Sequence, residues 1–567
     1  MFSRTDEWDQ AYYRQTSNSK ECPMRLRVIL SLSLVASSAL TGAHLRAESL
    51  PSVVPPAPAA QSEYDDIEPE LTPVAAVFQA AEEPADESFI PPNTEESEDE
   101  IIFDDPTPNP PPSNPYKPLF YDNTFGSYLS NPDHPYLLGE RFKEMPLGDD
   151  CSPYTLSVGG ELRHRWMHEQ NRLRPGGPVN TDYNLWRWRQ YFDLQLSDYA
   201  RVYFEGLDGS IFDNDLPPTP IDVNRWNVQN AFVDVKLHEW NGAPGWFRYG
   251  RQEMLYGSQH LISPLDWSNT RRNFEGFKYF HHTETVHFDA FITNPVNTGG
   301  GNQPLTRYDS GTDKPDTSVT FSGIYATILS DGGPELLDLY YLWLRDETNT
   351  PNRPDGSRHT AGGRFKTTRE IQDDGCKVTR IWDLETEGAY QFGNDDGKRV
   401  SAGFFTSVLG HTWTTVPWSP RLSGLFYYGS GNHNPNGSTN NTFNTLYPLG
   451  HAYWGIIDNL SGQNLYDWSL QLNAKPTKKV GLVAAFHWFE KATTNDYLYN
   501  VAGAPTGTLG GSRDIGQELD LIGTYTFNPN FNIQAGYSWF WYGDFVGTNI
   551  PPRNTANQFY VQTTLRF

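Results

Sequence analysis

From about residue 151 to the last residue, the chain alternates apolar and charged side chains with a period of two, segment after segment. In 156–166, Leu156, Val158, Leu162 and Trp166 share one parity, and Glu161, Arg163 and Arg165 the other. In 185–196, Trp186, Trp188, Phe192, Leu194 and Leu196 oppose Arg187, Arg189, Asp193 and Gln195. Val202 and Phe204 oppose Arg201, Tyr203 and Glu205, and Trp382 and Leu384 oppose Asp383, Glu385 and Glu387. Successive side chains on a strand point to opposite faces. Each segment therefore has one greasy face and one ionised face.

Alternation alone suits a soluble sandwich as well as a membrane barrel. Three features favour the barrel. Trp, Tyr and Phe crowd the apolar faces near strand ends, as interfacial girdles require, with Trp186, Trp188, Trp226, Trp246 and Trp539 among them. Strand-like runs recur over the whole stretch without a sign of a second domain. The last run has Phe559, Val561, Leu565 and Phe567 on one parity and Tyr560, Gln562, Thr564 and Arg566 on the other. It is similar to the terminal strand of bacterial outer-membrane barrels, and pairing it with the first strand would leave no open sheet edge. The mean hydropathy of −0.61 argues against a bundle of membrane helices. It agrees with barrel strands, whose polar faces lower the average.

The expected fold is an all-β, transmembrane, antiparallel up-and-down β-barrel of about 18 strands. They start near 154, 183, 200, 226, 245, 275, 284, 318, 335, 360, 378, 398, 420, 466, 479, 516, 531 and 557. An even count puts both termini on one side, the periplasmic one, and a barrel this wide should hold water. Gly/Asn/Pro-rich stretches at 295–316, 346–359, 429–464 and 492–514 read as loops, some able to narrow the lumen.

The N-terminal part reads differently. Residues 1–47 are an extended N-terminus with a secretory signal: Met24-Arg25-Leu26-Arg27, then the short apolar run Val28–Leu40 and small residues. Residues 48–115 form an acidic, Pro-rich spacer expected to be disordered, with no Lys or Arg between Arg46 and Lys117. It would serve as a solvated linker or dock a basic periplasmic partner. Residues 116–150 connect it to the barrel at 151–567. Residues 1–150 carry 9 basic and 27 acidic side chains, and residues 151–567 carry 34 and 42. The net balance is thus −18 before the barrel and −8 within it, which offers no basic surface for nucleic acid. The cysteines Cys22, Cys151 and Cys376 show no metal-ligand spacing, and Cys151 and Cys376 could pair in an oxidising compartment.

Two stretches carry a family resemblance. One is Gly250-Arg251-Gln252-Glu253, Tyr256-Gly257-Ser258-Gln259, Leu261-Ile262-Ser263-Pro264 and Trp267-Ser268-Asn269-Thr270-Arg271-Arg272-Asn273-Phe274-Glu275-Gly276. The other is Gly429-Ser430-Gly431, Thr442-Phe443-Asn444, Leu446-Tyr447-Pro448, His451, Asp458, Asn464-Leu465 and Lys475-Pro476; Glu518-Leu519-Asp520-Leu521 also fits. Over 151–567 the chain resembles the alginate-export family of outer-membrane porins. The resemblance implies a monomeric 18-stranded barrel in the bacterial outer membrane, with an electropositive constriction passing a polyuronate.

A passing polyanion needs fixed cations spaced for hopping, and guanidinium binds carboxylate bidentately while keeping its charge. The parity offers Arg163, Arg165, Arg187, Arg189 and Arg201 as pore-lining candidates. The family motif adds Arg248, Arg251, Arg271 and Arg272. If 271–272 were a regular strand, only one of that last pair could face inward. The same arginines could instead pair with lumen carboxylates and stiffen the wall. Asp383, Glu385 and Glu387 read chiefly as an acidic row opposing them. A glycosidase-like pair or a divalent-cation site are lesser readings of that row. Alternation places His281 and His287 on one face, with His282 and Glu284 on the other, leaving only a turn-localised metal site open.

No GxSxG elbow or phosphate loop is present, and no cofactor or metal is expected. The function expected is a non-enzymatic channel for an anionic polysaccharide or oligosaccharide. Alternatives are a general diffusion porin without saccharide preference and a barrel-embedded hydrolase.

Overall fold

In the computed structural model of this chain the described residues are 114–131, 134–148, 152–173, 180–298, 313–330, 333–348, 355–373, 377–550 and 555–567. The signal peptide, the acidic spacer up to residue 113 and the Cys151–Cys376 pairing lie outside them.

Among the described residues eighteen long strands follow one another. They are β1 (Tyr154–Gln170), β2 (Asn180–Leu196), β3 (Ala200–Phe212), β4 (Asn224–Trp240), β5 (Ala243–Gln252) and β6 (Phe274–His282). Next come β7 (Val286–Asn297), β8 (Val319–Leu329), β9 (Leu336–Asp346), β10 (Gly356–Gln372), β11 (Val378–Asp395) and β12 (Lys398–Trp413). The last are β13 (Arg421–Gly429), β14 (Leu465–Thr477), β15 (Val480–Lys491), β16 (Asp514–Asn528), β17 (Phe531–Tyr542) and β18 (Thr555–Arg566). Each starts within four residues of its expected position. Every neighbouring pair is antiparallel, including β8 with β7, and β18 closes on β1 from Glu161↔Arg566 to Gln170↔Asn557. Among the described residues no strand is left as an open edge facing lipid, as a bilayer requires.

Turns on the side of the termini are short, such as 241–242, 478–479 and 529–530, whereas the far side carries 253–273, 430–464 and 492–513. Local bulges interrupt the ladder at Lys236/His238 and Ile371/Gln372.

The faces separate as the alternation requires. Trp186, Trp188, Phe192 and Leu470 are outward and exposed, while the intervening Arg187 and Arg189 are 0% and 1% exposed. Trp246 shares the face of Arg248 rather than the lipid face expected of it; the strand starts at Ala243 and fixes that parity.

The lumen is partly filled from both ends. From the far side, 253–273 and 430–464 fold inward and join through Tyr447 N–H to Leu261 O (2.9 Å) and Leu449 N–H to Gln259 O (2.9 Å). Their Ile262, Tyr447, Trp454, Ile457 and Leu460 make one apolar cluster with wall residues Phe274, Phe321, Tyr427, Phe489 and Phe540. Gly455 permits the close approach: its φ is +88°, and a Cβ there would lie 2.3 Å from Glu518 Oε2. From the terminus side, Tyr116, Phe120, Tyr121, Phe125 and Tyr128 pack on Tyr191, Tyr203 and Phe232. Lys143 pins this segment by donating to Val158 O (2.8 Å), Tyr191 Oη (2.8 Å) and Phe567 O (3.0 Å).

Facing hydrocarbon, an introduced charge should be costly. Leu470→Arg on the outer wall of β14 is expected to lower unfolding stability by about 2–4 kcal/mol in urea titrations of the lipid-embedded protein. Gln534→Arg, on the inner face of β17, should leave it nearly unchanged.

Candidate functional site: an ion-paired lumen above a lysine-rimmed mouth

The inserted loop 253–273 is organised around the inward arginines of β1 and β2. Arg163 donates to Asp266 O (2.6 Å) and Trp267 O (3.0 Å), and also reaches Ser268 O. Arg187 bridges Glu161 (2.6 Å) and Asp266 (2.8 Å). Arg189 pairs with Glu205 (2.6 Å) and approaches Glu253 at 3.5 Å. Arg271, from the loop itself, contacts both Glu253 and Asp266. Arg165 stacks 3.2 Å from the centroid of Trp267 and donates to Gln562 Oε1 (2.8 Å). The other faces of Trp267 meet His451 at 4.3 Å and Tyr560 edge-on at 4.9 Å. Asn269 ties the loop to the wall through Trp186 O and Ser210 O, and to the neighbouring 213–223 loop through Asp222 O.

Leu265 has φ +69°. For a non-glycine residue that costs on the order of 1–3 kcal/mol, and the surrounding bonds hold it, including Leu265 N–H to Ser263 Oγ at 3.1 Å. Burial alone would raise the Asp266 carboxyl; Arg271, Arg187, Arg163 and Arg189 instead hold it well below the usual 3.8.

Other candidates sit elsewhere. Arg201 pairs with Asp193 (2.8 Å) and donates to Tyr121 O (2.6 Å). Arg248 pairs with Asp234 (2.7 Å) beneath the Tyr121 ring. Arg251 is on the opposite parity, with Tyr249, and pairs with Glu275 (3.0 Å). Because 253–273 is a loop, the adjacent Arg271 and Arg272 both lie within the lumen; Arg272 donates to Ser263 O and Pro448 O at 3.4 Å. Asp383 pairs with Arg421 (2.5 Å). Glu385 accepts from Ser258 Oγ and lies 3.4 Å from Arg364. Glu387 accepts from Tyr340 Oη (2.9 Å) and meets His260 Nδ1 at 2.6 Å.

The histidine parity needs correction. The 283–285 turn resets the alternation, so His282 and His287 are register partners with rings 4.6 Å apart, and Asp289 contacts His282 at 2.7 Å. His281 faces outward against Trp240. Among the described residues no group of three or more His, Cys, Asp or Glu is placed to hold a metal ion.

Below Trp267, on the terminus side, lies a cavity of about 270 Å³. Arg163, Arg187, Asp266 and Trp267 roof it, Thr524, Asn532, Gln534 and Thr564 line it, and Lys475, Lys478, Lys479 and Arg566 rim it. The three lysines are exposed, and no carboxylate partners them among the described residues. Residue-by-residue parity passed over them, yet the Lys475-Pro476-Thr477-Lys478-Lys479 run is a visible signal of a basic turn. Glu253, Asp266, Trp267 and Asn269 were also missed as organising groups, although all but Asp266 lie in the quoted motif.

The sequence model of one family, alginate export, matches residues 154–560. The chain belongs to the alginate-export family. This family barrel resides in the bacterial outer membrane. Among solved structures it is similar to Pseudomonas aeruginosa OccK1 (OpdK), at 11% identity and TM-score 0.49, covering 72% of this chain and 98% of that one. It is likewise similar to the Pseudomonas aeruginosa outer membrane protein OprD, at 10% identity and TM-score 0.47, covering 73% and 93%. Among curated proteins there is no match.

Two outcomes follow from the pairing. Arg189→Gln leaves Glu205 buried without its cation, whereas Glu253 keeps Arg271, so it should cost about 3–5 kcal/mol of unfolding stability, read from the urea midpoint. Asp266, with its folded pKa depressed, stabilises the inserted loop above the ordinary carboxylate pKa and loses that contribution as pH falls through the depressed value. Single-channel conductance should therefore stay constant from pH 7 to 5 and rise only below about pH 4 as 253–273 is released. In Asp266→Asn that rise should be absent.

Proposed function

We propose that the protein is a channel for an anionic polyuronate or oligosaccharide, entered on the terminus side through the lysine-rimmed cavity. That side is read as periplasmic. The observation that carries this reading is the contrast between the lysines and the arginines. Deep in the lumen each guanidinium is neutralised by a carboxylate or engaged by carbonyls. At the mouth, Lys475, Lys478 and Lys479 stand exposed without such partners. Exposed ammonium groups give weak, reversible contacts to carboxylates, which a moving polymer requires. The hydroxyl and amide groups of Thr524, Asn532, Gln534 and Thr564 suit sugar hydroxyls, and Trp267 with Tyr560 offers an aromatic surface at the inner end. Arg163, Arg165, Arg187, Arg189 and Arg271 then act chiefly by holding the constricting loop, and secondarily through the field they set.

A second reading, a diffusion pore without saccharide preference, is favoured by the same neutralisation, because a paired guanidinium attracts a passing carboxylate weakly. The hydrolase reading finds less support. Glu385 and Glu387 are engaged by Arg364, Ser258, Tyr340 and His260, whereas glycosidic chemistry needs one acid free to give up a proton.

Planar-bilayer recording tests the proposal. Added oligoguluronate or oligomannuronate should block current from the terminus side, and neutral oligosaccharides of equal length should not. Lys475→Gln/Lys478→Gln/Lys479→Gln should raise the half-blocking concentration about tenfold, from three exposed contacts of about 0.5 kcal/mol each. Equal block by neutral and anionic sugars would favour the diffusion pore.

A further inference from the structure

The bilayer-facing surface is apolar or uncharged over nearly all of its terminus-side half. Among the described residues, outward Lys, Arg, Asp or Glu side chains occur there at two positions, Arg369 on β10 and Arg380 on β11. Arg369 is the register partner of Trp382, and Arg380 that of Ile371. The two arginines therefore sit diagonally on adjacent strands and on one face, roughly 7–8 Å apart. Both are exposed. Neither meets a carboxylate or an acceptor among the described residues, in contrast to the paired guanidinia of the lumen.

Their neighbours on the same face are aromatic. Trp382 is 41% exposed and packs on His411 at 4.2 Å, and His411 packs on Trp413 at 4.4 Å. Trp413 is the partner of Arg380 on the other side of β11. A tryptophan cluster on a barrel wall marks the depth where acyl chains meet headgroups. An arginine at that depth without a protein counter-ion needs an anion from the membrane. Guanidinium pairs offer parallel N–H donors that match phosphate oxygens, and the indoles supply contact for the glycerol and upper acyl region.

We propose that Arg369 and Arg380, with Trp382 and Trp413, form a binding site for the phosphate of an anionic glycerophospholipid in the leaflet on the terminus side. The site lies on the outer wall, so it does not depend on the solute that passes through the lumen. Native mass spectrometry of the full chain in detergent micelles tests it, with dioleoylphosphatidylglycerol, dioleoylphosphatidylcholine and inorganic phosphate as separate probes. The wild type should hold phosphatidylglycerol about tenfold more tightly than phosphatidylcholine. Arg369→Gln/Arg380→Gln should lose that preference while still showing the gel mobility shift of a folded barrel, and Arg369→Lys/Arg380→Lys should keep part of it. The proposal is overturned by equal retention of the two lipids, or by unchanged preference in the glutamine variant. Displacement of the lipid by millimolar inorganic phosphate would overturn the lipid assignment in favour of a free-phosphate site.

Discussion

Hydrocarbon offers a peptide amide no hydrogen-bond partner, and this constraint decides the rest of the molecule. The sheet must close, and it does so where β18 meets β1, with Leu162 opposite Leu565 and Trp166 opposite Val561 on the lipid side of the seam. Once closed, parity leaves no choice about the ionised positions. Every Arg, Asp and Glu that alternates with a lipid-facing residue is committed to the lumen. The interior chemistry is thus a consequence of the exterior one, since the same two-residue period that presents Trp186 and Trp188 to lipid presents Arg187 and Arg189 to the inside.

A lumen crowded with fixed charge must be hydrated, or else each charge must find a counter-charge. On the β1–β5 side this barrel takes the second course. Glu161 and Glu205 come from the wall, while Glu253 and Asp266 are brought in by the loop, and together they answer Arg187, Arg189 and Arg271. Arginine is suited to that position because its planar fork binds two groups at once; Arg187 uses it to join wall and loop. Buried pairs of this kind are weak contributors to net stability, but breaking one leaves the partner charge stranded. They therefore act as a lock on the loop's position, and the strained backbone at Leu265 is tolerated within it. Lys475, Lys478 and Lys479, compact and strongly hydrated, stand where water remains, at the mouth.

The strands and their faces were legible because a period of two is a local property, readable without knowing any partner. Bulges such as Lys236/His238 were not, since they depend on the neighbouring strand. Nor was the reset of parity across 283–285, which moved His287 to the face of His282. For the candidate site, parity correctly placed Arg187 and Arg189 inside, but it carries no information about what meets them there. The stretch 253–273 has too little periodicity to be assigned a direction, and its fate rests on contacts with 430–464 and the wall. Sequence separation hid those partners: Arg187 and Asp266 lie far apart along the chain. Residues 116–150 read only as a connecting segment, because the docking of Tyr116, Phe120, Tyr121, Phe125 and Tyr128 on Tyr191, Tyr203 and Phe232 is a tertiary event.

The two fillings of the lumen meet. Arg271 from the far-side loop donates to Pro118 O (3.1 Å), and Tyr121 Oη from the terminus-side segment donates to Glu253 O (2.7 Å). Along β1–β5 the interior is thereby closed from both ends by mutually bonded elements, and widening it there would break both sets of contacts together. Along β14–β18 the obstruction is thinner. The cavity there is roofed by Trp267 and Asp266, and Trp267 is held by the planar stacks of Arg165 and of His451 from the inserted 430–464 rather than by an ion pair. Stacked rings slide at lower cost than buried charges separate. A conducting path is therefore most cheaply opened on this side, past Trp267, which is also the side where the unpaired lysines stand.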